Sequence, residues 1–196
     1  MKNKRKGFTL AEVLITLGII GVVAAITLPT LMQDASKQQL GVKLSKFAST
    51  IEKVTRAAAV EEDLSSKGEL CSLFDSELVY DSVNSYFGEG CKTLSTNVGD
   101  AKYMTLRDGT SFTIIEDSNG SVAYDTVSDK AGTSIAKLAF KPNISGLSGG
   151  PEEFYFVVTN RGFVVPDDGD KCLTAIYKNK YKATKIYGID ANCKSS

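Results

Sequence analysis

One stretch constrains this chain more than any other: the apolar run from Phe8 to Met32, which carries a single charge, Glu12. Lys2, Lys4, Arg5 and Lys6 precede it and lead into Gly7. A run this long and apolar can cross a bilayer as one helix, and the basic residues ahead of it orient that end toward the cytoplasm. A carboxylate inside such a span costs about 2.5 to 3.5 kcal/mol at the helix centre, so Glu12 is a functional residue by default. A secretory signal peptide shares the basic start, but its apolar region runs only about 7 to 15 residues and has no acid at its head. A plain signal anchor matches the hydropathy and explains neither Gly7-Phe8 nor Glu12.

The arrangement Lys4-Arg5-Lys6-Gly7-Phe8-Thr9-Leu10-Ala11-Glu12 closely resembles the class III signal of type IV prepilins and type II secretion pseudopilins. In that family a membrane aspartic peptidase cuts after the glycine and methylates the new N-terminus. The resemblance implies a cut between Gly7 and Phe8, an N-methylated Phe8, and Glu12 as an assembly residue that pairs with the N-terminal amine of a neighbouring subunit. The plainer reading of Glu12 is a helix-start acid that complements the helix dipole. Pro29 stands where many family members carry a kinking proline. Independently, Pro29 has no amide hydrogen for the Ala25 carbonyl and crowds it, which predicts a kink. Gly18 and Gly21 permit close approach of neighbouring helices.

The 196 residues leave room for one ordinary soluble domain beside this segment. Lysine plus arginine equals aspartate plus glutamate at 23 each. Removal of Lys2, Lys4, Arg5 and Lys6 leaves 19 basic against 23 acidic residues, a net of −4, which argues against bulk affinity for nucleic acid. There is no histidine, so histidine triads, bases and metal ligands are excluded. No nucleophile–base pair, phosphate loop or metal motif stands out, and the chain reads as non-enzymatic, with no required cofactor.

Cys71, Cys91, Cys172 and Cys193 form no C-x-x-C pair, so a zinc or thioredoxin-like site is not indicated. An even count beyond an export segment suggests disulfides, and four cysteines allow three pairings. The local one, Cys71–Cys91 with Cys172–Cys193, closes two loops of similar length, each contributing about 3 kcal/mol in the chain-entropy model. The alternative is that one or both pairs stay reduced. Cys172–Cys193 resembles the C-terminal disulfide loop of many type IV pilins.

Beyond Pro29, Leu40, Leu44, Phe47, Ile51, Val54 and Ala58 recur at helical spacing, so one helix is expected from Thr9 to about Glu62 with its second half packed on a head. Ser76 to Phe87 reads as a short helix. Tyr103–Leu106 and Ser111–Ile115 read as a hairpin, with further strands at Ser121–Val127, Ile135–Phe140, Phe154–Val158 and Phe163–Val165, and an irregular tail over the last 25 residues. A long helix followed by an antiparallel sheet is an α+β pattern, which agrees with the pilin-like architecture the resemblance implies. The expected divisions are a leader 1–7, a transmembrane or filament-core helix 8–32, and a head 33–196.

Two acidic groups offer Ca²⁺ ligands: Glu116, Asp117, Asn119 and Asp125, and Asp167, Asp168 and Asp170. Solvated turns are the plainer reading. From Lys171 on, Lys171, Lys178, Lys180, Lys182, Lys185 and Lys194 oppose only Asp190, and Tyr177, Tyr181 and Tyr187 interleave. That pattern occurs in single-strand binders, and some type IV pilins serve in DNA uptake. Glu61 to Glu89 holds eight acids against Lys67, so a contact with the acidic region of another subunit accounts for the charge as well. The expected function is a structural subunit of a type IV filament. It starts in the bacterial inner membrane with an extracytoplasmic head and then joins a pilus or pseudopilus. Its partners would be copies of itself and related pilins, the prepilin peptidase, and an assembly platform with its ATPase. The rivals are a membrane-anchored binding module that never polymerises and a DNA-uptake pilin.

Overall fold

The computed structural model describes residues 7–60, 64, 70, 73–74, 103–115 and 132–194. It opens on α1, Leu10–Ala58, an unbroken helix of 49 residues, about 73 Å long at 1.5 Å per residue. Pro29 lies inside it. The helix ends at Ala58, short of the expected Glu62, with the Ala59 amide still donating to the Thr55 carbonyl.

Among the described residues five antiparallel strands follow in spatial order β1-β2-β3-β4-β5: β1 Met104–Thr105, β2 Ser111–Ile115, β3 Ser134–Lys141, β4 Phe154–Thr159 and β5 Val164–Pro166. Phe112 pairs with Phe140, and Phe140 with Phe154. The β1–β2 turn holds because Asp108 accepts from the Thr110 amide and Gly109 takes a positive φ of 77°. The expected strands at 103–106, 111–115, 135–140, 154–158 and 163–165 appear with ends shifted by one or two residues. The expected helix at 76–87 and strand at 121–127 lie outside the described residues.

Strand alternation sends Phe112, Ile114, Ala136, Leu138, Phe140, Phe156, Val158 and Val164 into one core with Leu40, Leu44, Phe47 and Ile51 of α1. Phe47 is the centre, with ring centroids 4.2 Å from Phe140, 5.3 Å from Phe112 and 5.5 Å from Phe156. Val54 and Ala58 are only partly buried. The fully buried row runs on through Thr55, whose hydroxyl donates to the Ile51 carbonyl at 3.0 Å and to the Gly162 carbonyl at 2.7 Å. That pairing is what lets a polar residue sit in the core. On the other face of the sheet, Val157 and Val165 form a second small buried cluster.

The tail is not irregular. Asp170 caps α2, Lys171–Lys178, by accepting from the Leu173 amide. Two 3-10 turns follow, Ala183–Lys185 and Ala191–Cys193. Cys172 and Cys193 are joined, so the second turn is bonded back onto α2. Tyr187 is fully buried, and its hydroxyl donates to the Pro151 carbonyl at 2.8 Å.

Candidate functional site

The start of α1 is a capping box. Thr9 has extended backbone, φ −79° and ψ 150°. Its hydroxyl accepts from the Glu12 amide at 3.3 Å. One Glu12 carboxylate oxygen in turn accepts from the Thr9 amide at 2.8 Å and the Thr9 hydroxyl at 2.9 Å. Two amides that a helix start leaves orphaned are thereby satisfied. Glu12 is therefore not a bare carboxylate in the single chain: its charge sits on hydrogen-bond donors at the positive end of the helix dipole. Spacing alone could have revealed the role of Thr9, because Thr9-Leu10-Ala11-Glu12 is the capping-box pattern ahead of an apolar run.

Gly7 and Phe8 precede the helix. Phe8 is 91% exposed, and a Cβ built on Gly7 would meet nothing within 4 Å. The Gly7–Phe8 peptide is thus open, and nothing in the described fold requires glycine at position 7.

From Leu10 through Met32 the helix finds almost no partner in its own chain. Leu14, Ile15, Leu17, Ile19, Ile20, Val22, Ile26 and Met32 are all at least 60% exposed. The hydroxyls of Thr16, Thr27 and Thr30 donate to carbonyls three or four residues earlier, so these three hydroxyls are paired within the helix itself. Gly18 and Gly21 have open space where a Cβ would stand. By length and composition this helix can cross a membrane.

The other candidates resolve differently. Cys172 and Cys193 are disulfide-bonded as expected, while Cys71 and Cys91 lie outside the described residues. So do Glu116, Asp117, Asn119 and Asp125. Asp167, Asp168 and Asp170 do not converge. Asp167 is buried against the Lys137 ammonium, which also stands 4.9 Å over the Tyr155 ring. Asp168 lies at the surface beside Lys171. Asp170 spends both oxygens on backbone amides, those of Leu173 and Tyr155 at 2.8 Å. Burial pushes its carboxyl up to about 6, against the pull of those two amides. Among the described residues no three potential metal ligands gather. The tail tyrosines do not form an open stacking platform, because Tyr187 is in the core and Tyr177 packs edge-on against Tyr181 at 5.6 Å.

Residues 2–28 match the family described as the prokaryotic N-terminal methylation motif, the hallmark of type IV pilins and pseudopilins. No curated protein and no solved structure matches the chain.

Proposed function

We propose that this chain is a structural, non-catalytic subunit of a type IV filament, a pilin or a pseudopilin. Its parts are a leader 1–7, a core helix 8–32 and a head 33–196. The observation that carries the reading is the methylation motif at residues 2–28 running straight into a helix half that its own head leaves bare. In the inner membrane lipid covers that half. After prepilin peptidase cuts at the open Gly7–Phe8 bond, an assembly platform and its ATPase draw the subunit out, and the same surface packs against other copies. A head-to-tail contact that does not close into a ring builds a fibre. Glu12 then exchanges the Thr9 donors for the Phe8 amine of a neighbour, a charged partner worth more than neutral ones in a site without water.

The test is a strain carrying Glu12→Val. Membrane insertion should be unchanged or improved, since a charge leaves an apolar helix, and the head should fold, while sheared surface filaments vanish. Glu12→Asp should be intermediate. Normal filament yield from Glu12→Val at normal membrane levels refutes the role given to Glu12. Intact Phe8 N-termini from Gly7→Val would refute the processing site. A chain that is never cut in its own host would leave the non-polymerising anchor as the better reading.

A further inference from the structure

A groove of about 640 Å³ runs between the second half of α1 and the segment after α2. Gly41, Val42, Ser45 and Ser49 line it from α1, and Lys180 and Lys182 from the segment. The segment is held close. A Cβ on Gly41 would collide with the Tyr181 carbonyl oxygen, so only glycine lets the chain approach the helix there. Lys180 and Tyr181 both take left-handed backbone, φ 53° and 59°, a conformation that non-glycine residues hold only when their surroundings fix it. Lys180 and Lys182 are exposed, and no carboxylate of the described residues lies within ion-pair distance of either. Lys46, at the same groove, is by contrast paired with Asp108 at 2.9 Å. Val42 lies in the groove with 67% of its surface open.

A matching surface stands at the far end of the same helix. Beyond Met32, the exposed large apolar side chains among the described residues are Val42, Val60 and Ile189. Val60, 82% exposed, follows the end of α1 and leads directly into Glu61, Glu62 and Asp63. The chain leaves that acidic run at Leu64, which is buried in the core and whose amide donates to the Asn160 carbonyl at 2.8 Å. One place on the head thus has an open valine beside two unpaired lysines. The other has an open valine with three carboxylates next in sequence. The two cannot meet within one copy, because Val42 to Ala58 is about 24 Å along an unbroken helix. They can meet between copies displaced by that distance along the axis. The Phe8–Met32 run, about 37 Å long as a helix, exceeds the displacement, so copies staggered in this way still lie bare half against bare half. A nucleic-acid strand is the poorer fit. The processed chain is net acidic, the tail tyrosines offer no open stacking platform, and a phosphate backbone has nothing to place on Val42.

We propose that this groove is the receiving half of a contact between heads, and that it takes Val60 to Asp63 of a second copy displaced toward the membrane. Val60 covers Val42, and Lys180 and Lys182 pair with Glu61 and Glu62. Each copy carries both halves on different surfaces, so the contact is heterologous and does not close. The proposal rests on the filament reading. It adds a register between heads that is set by charge, apart from the apolar packing of the Phe8–Met32 helices.

The test is a charge swap in the full-length chain, read in the host as sheared filament relative to membrane-bound chain. Lys180→Glu with Lys182→Glu sets carboxylates against carboxylates and should lower the yield by at least about tenfold, since like charges facing each other oppose association. Glu61→Lys with Glu62→Lys should do the same from the other side. All four substitutions in one chain restore opposite charges and should return the yield to within about twofold of the unmodified chain. Lys171→Glu with Lys194→Glu makes the same charge change off the groove and should leave the yield unchanged. In unmodified filaments a zero-length carbodiimide should join Lys180 or Lys182 to the 61–63 run of another copy, identified in filaments grown from mixed light and heavy isotope-labelled chains. Failure of the quadruple variant to recover overturns the proposal, as does an equal loss in the control pair or a cross-link found only within one copy. If a charge reversal lowers membrane levels, the cross-link in unmodified filaments decides, and its absence is equally fatal. An unmodified chain that is never cut and never enters filaments refutes the filament reading and this contact with it. Unmodified filaments with neither rescue nor cross-link sink the contact alone.

Discussion

The two halves of α1 share one helix and almost nothing else. Leu40, Leu44 and Ile51 have no exposure at all, whereas Leu17, at 60%, and Leu10, at 80%, touch little of their own chain. Both halves are rich in leucine, isoleucine and valine, so hydrophobicity by itself says nothing about where a side chain goes. What differs is the arrangement. In the second half apolar residues recur at helical spacing and polar ones fill the other faces, so one face can be buried on the head. In the first half every face is apolar, and a helix of that kind needs partners all round it. A single chain cannot supply them. The first half is therefore specified by what surrounds the molecule, and the second by what lies inside it.

Phe47→Ala should break the second half. Removing a ring that meets three others leaves a cavity, and the expected loss is about 3 to 5 kcal/mol. Leu17→Ala should leave head stability within about 0.5 kcal/mol. Urea unfolding of both variants in detergent compares them directly, and equal losses would mean that the first half packs on the head after all. Opening Cys172–Cys193 should cost less, about 3 kcal/mol from the closed-loop term. It should act locally: amide exchange after reduction should quicken in α2 and the two 3-10 turns before it does in β2 to β4. Uniform quickening would show that the tail is part of one cooperative unit. A pH-dependent effect separates the two acids that open helices. Asp170 is buried and its carboxyl is raised to about 6, so the folded state binds a proton that the unfolded chain has already released. Stability should therefore fall as pH rises from about 4 to about 6, by about 1 to 3 kcal/mol. Asp170→Asn should flatten the profile, and Glu12→Gln, at the exposed start of α1, should not touch it. A slope of opposite sign in the unmodified chain would show that other groups dominate.

Where local pattern and tertiary burial agree, the fold was legible. Strands β2, β3 and β4 carry alternating large apolar residues between turn formers, and their positions were readable to within a residue or two. The buried row on α1 was readable as far as Ile51 and then misjudged, because Thr55 is polar and its burial depends on the Gly162 carbonyl, 107 residues away. Helix α2 was hard to read because it is only eight residues long and lies between lysines, leaving Cys172, Leu173 and Ile176 as its apolar signal. The disulfide and the Asp170 cap, both invisible to periodicity, hold it in place. At the N-terminus the leader pattern pointed straight to Gly7, Phe8 and Glu12. The Thr9–Glu12 box lies in the same four letters, legible only when the orphan amides of a helix start are counted beside the charge.

Gly41 and Gly162 have a mechanical consequence. At the first, the Tyr181 carbonyl occupies the space of a Cβ; at the second, a Cβ would stand 2.6 Å from the Thr55 carbonyl. Backbone meets α1 at two points on the helix, about 21 Å apart along its axis. Any force that pulled α1 lengthwise past the head would bring Lys37 or Ser45, one turn away, to the place that only Gly41 fits. The two glycines act as a ratchet pawl, so a lengthwise pull on α1 is borne as compression of backbone on backbone and not as sliding of one greasy face over another.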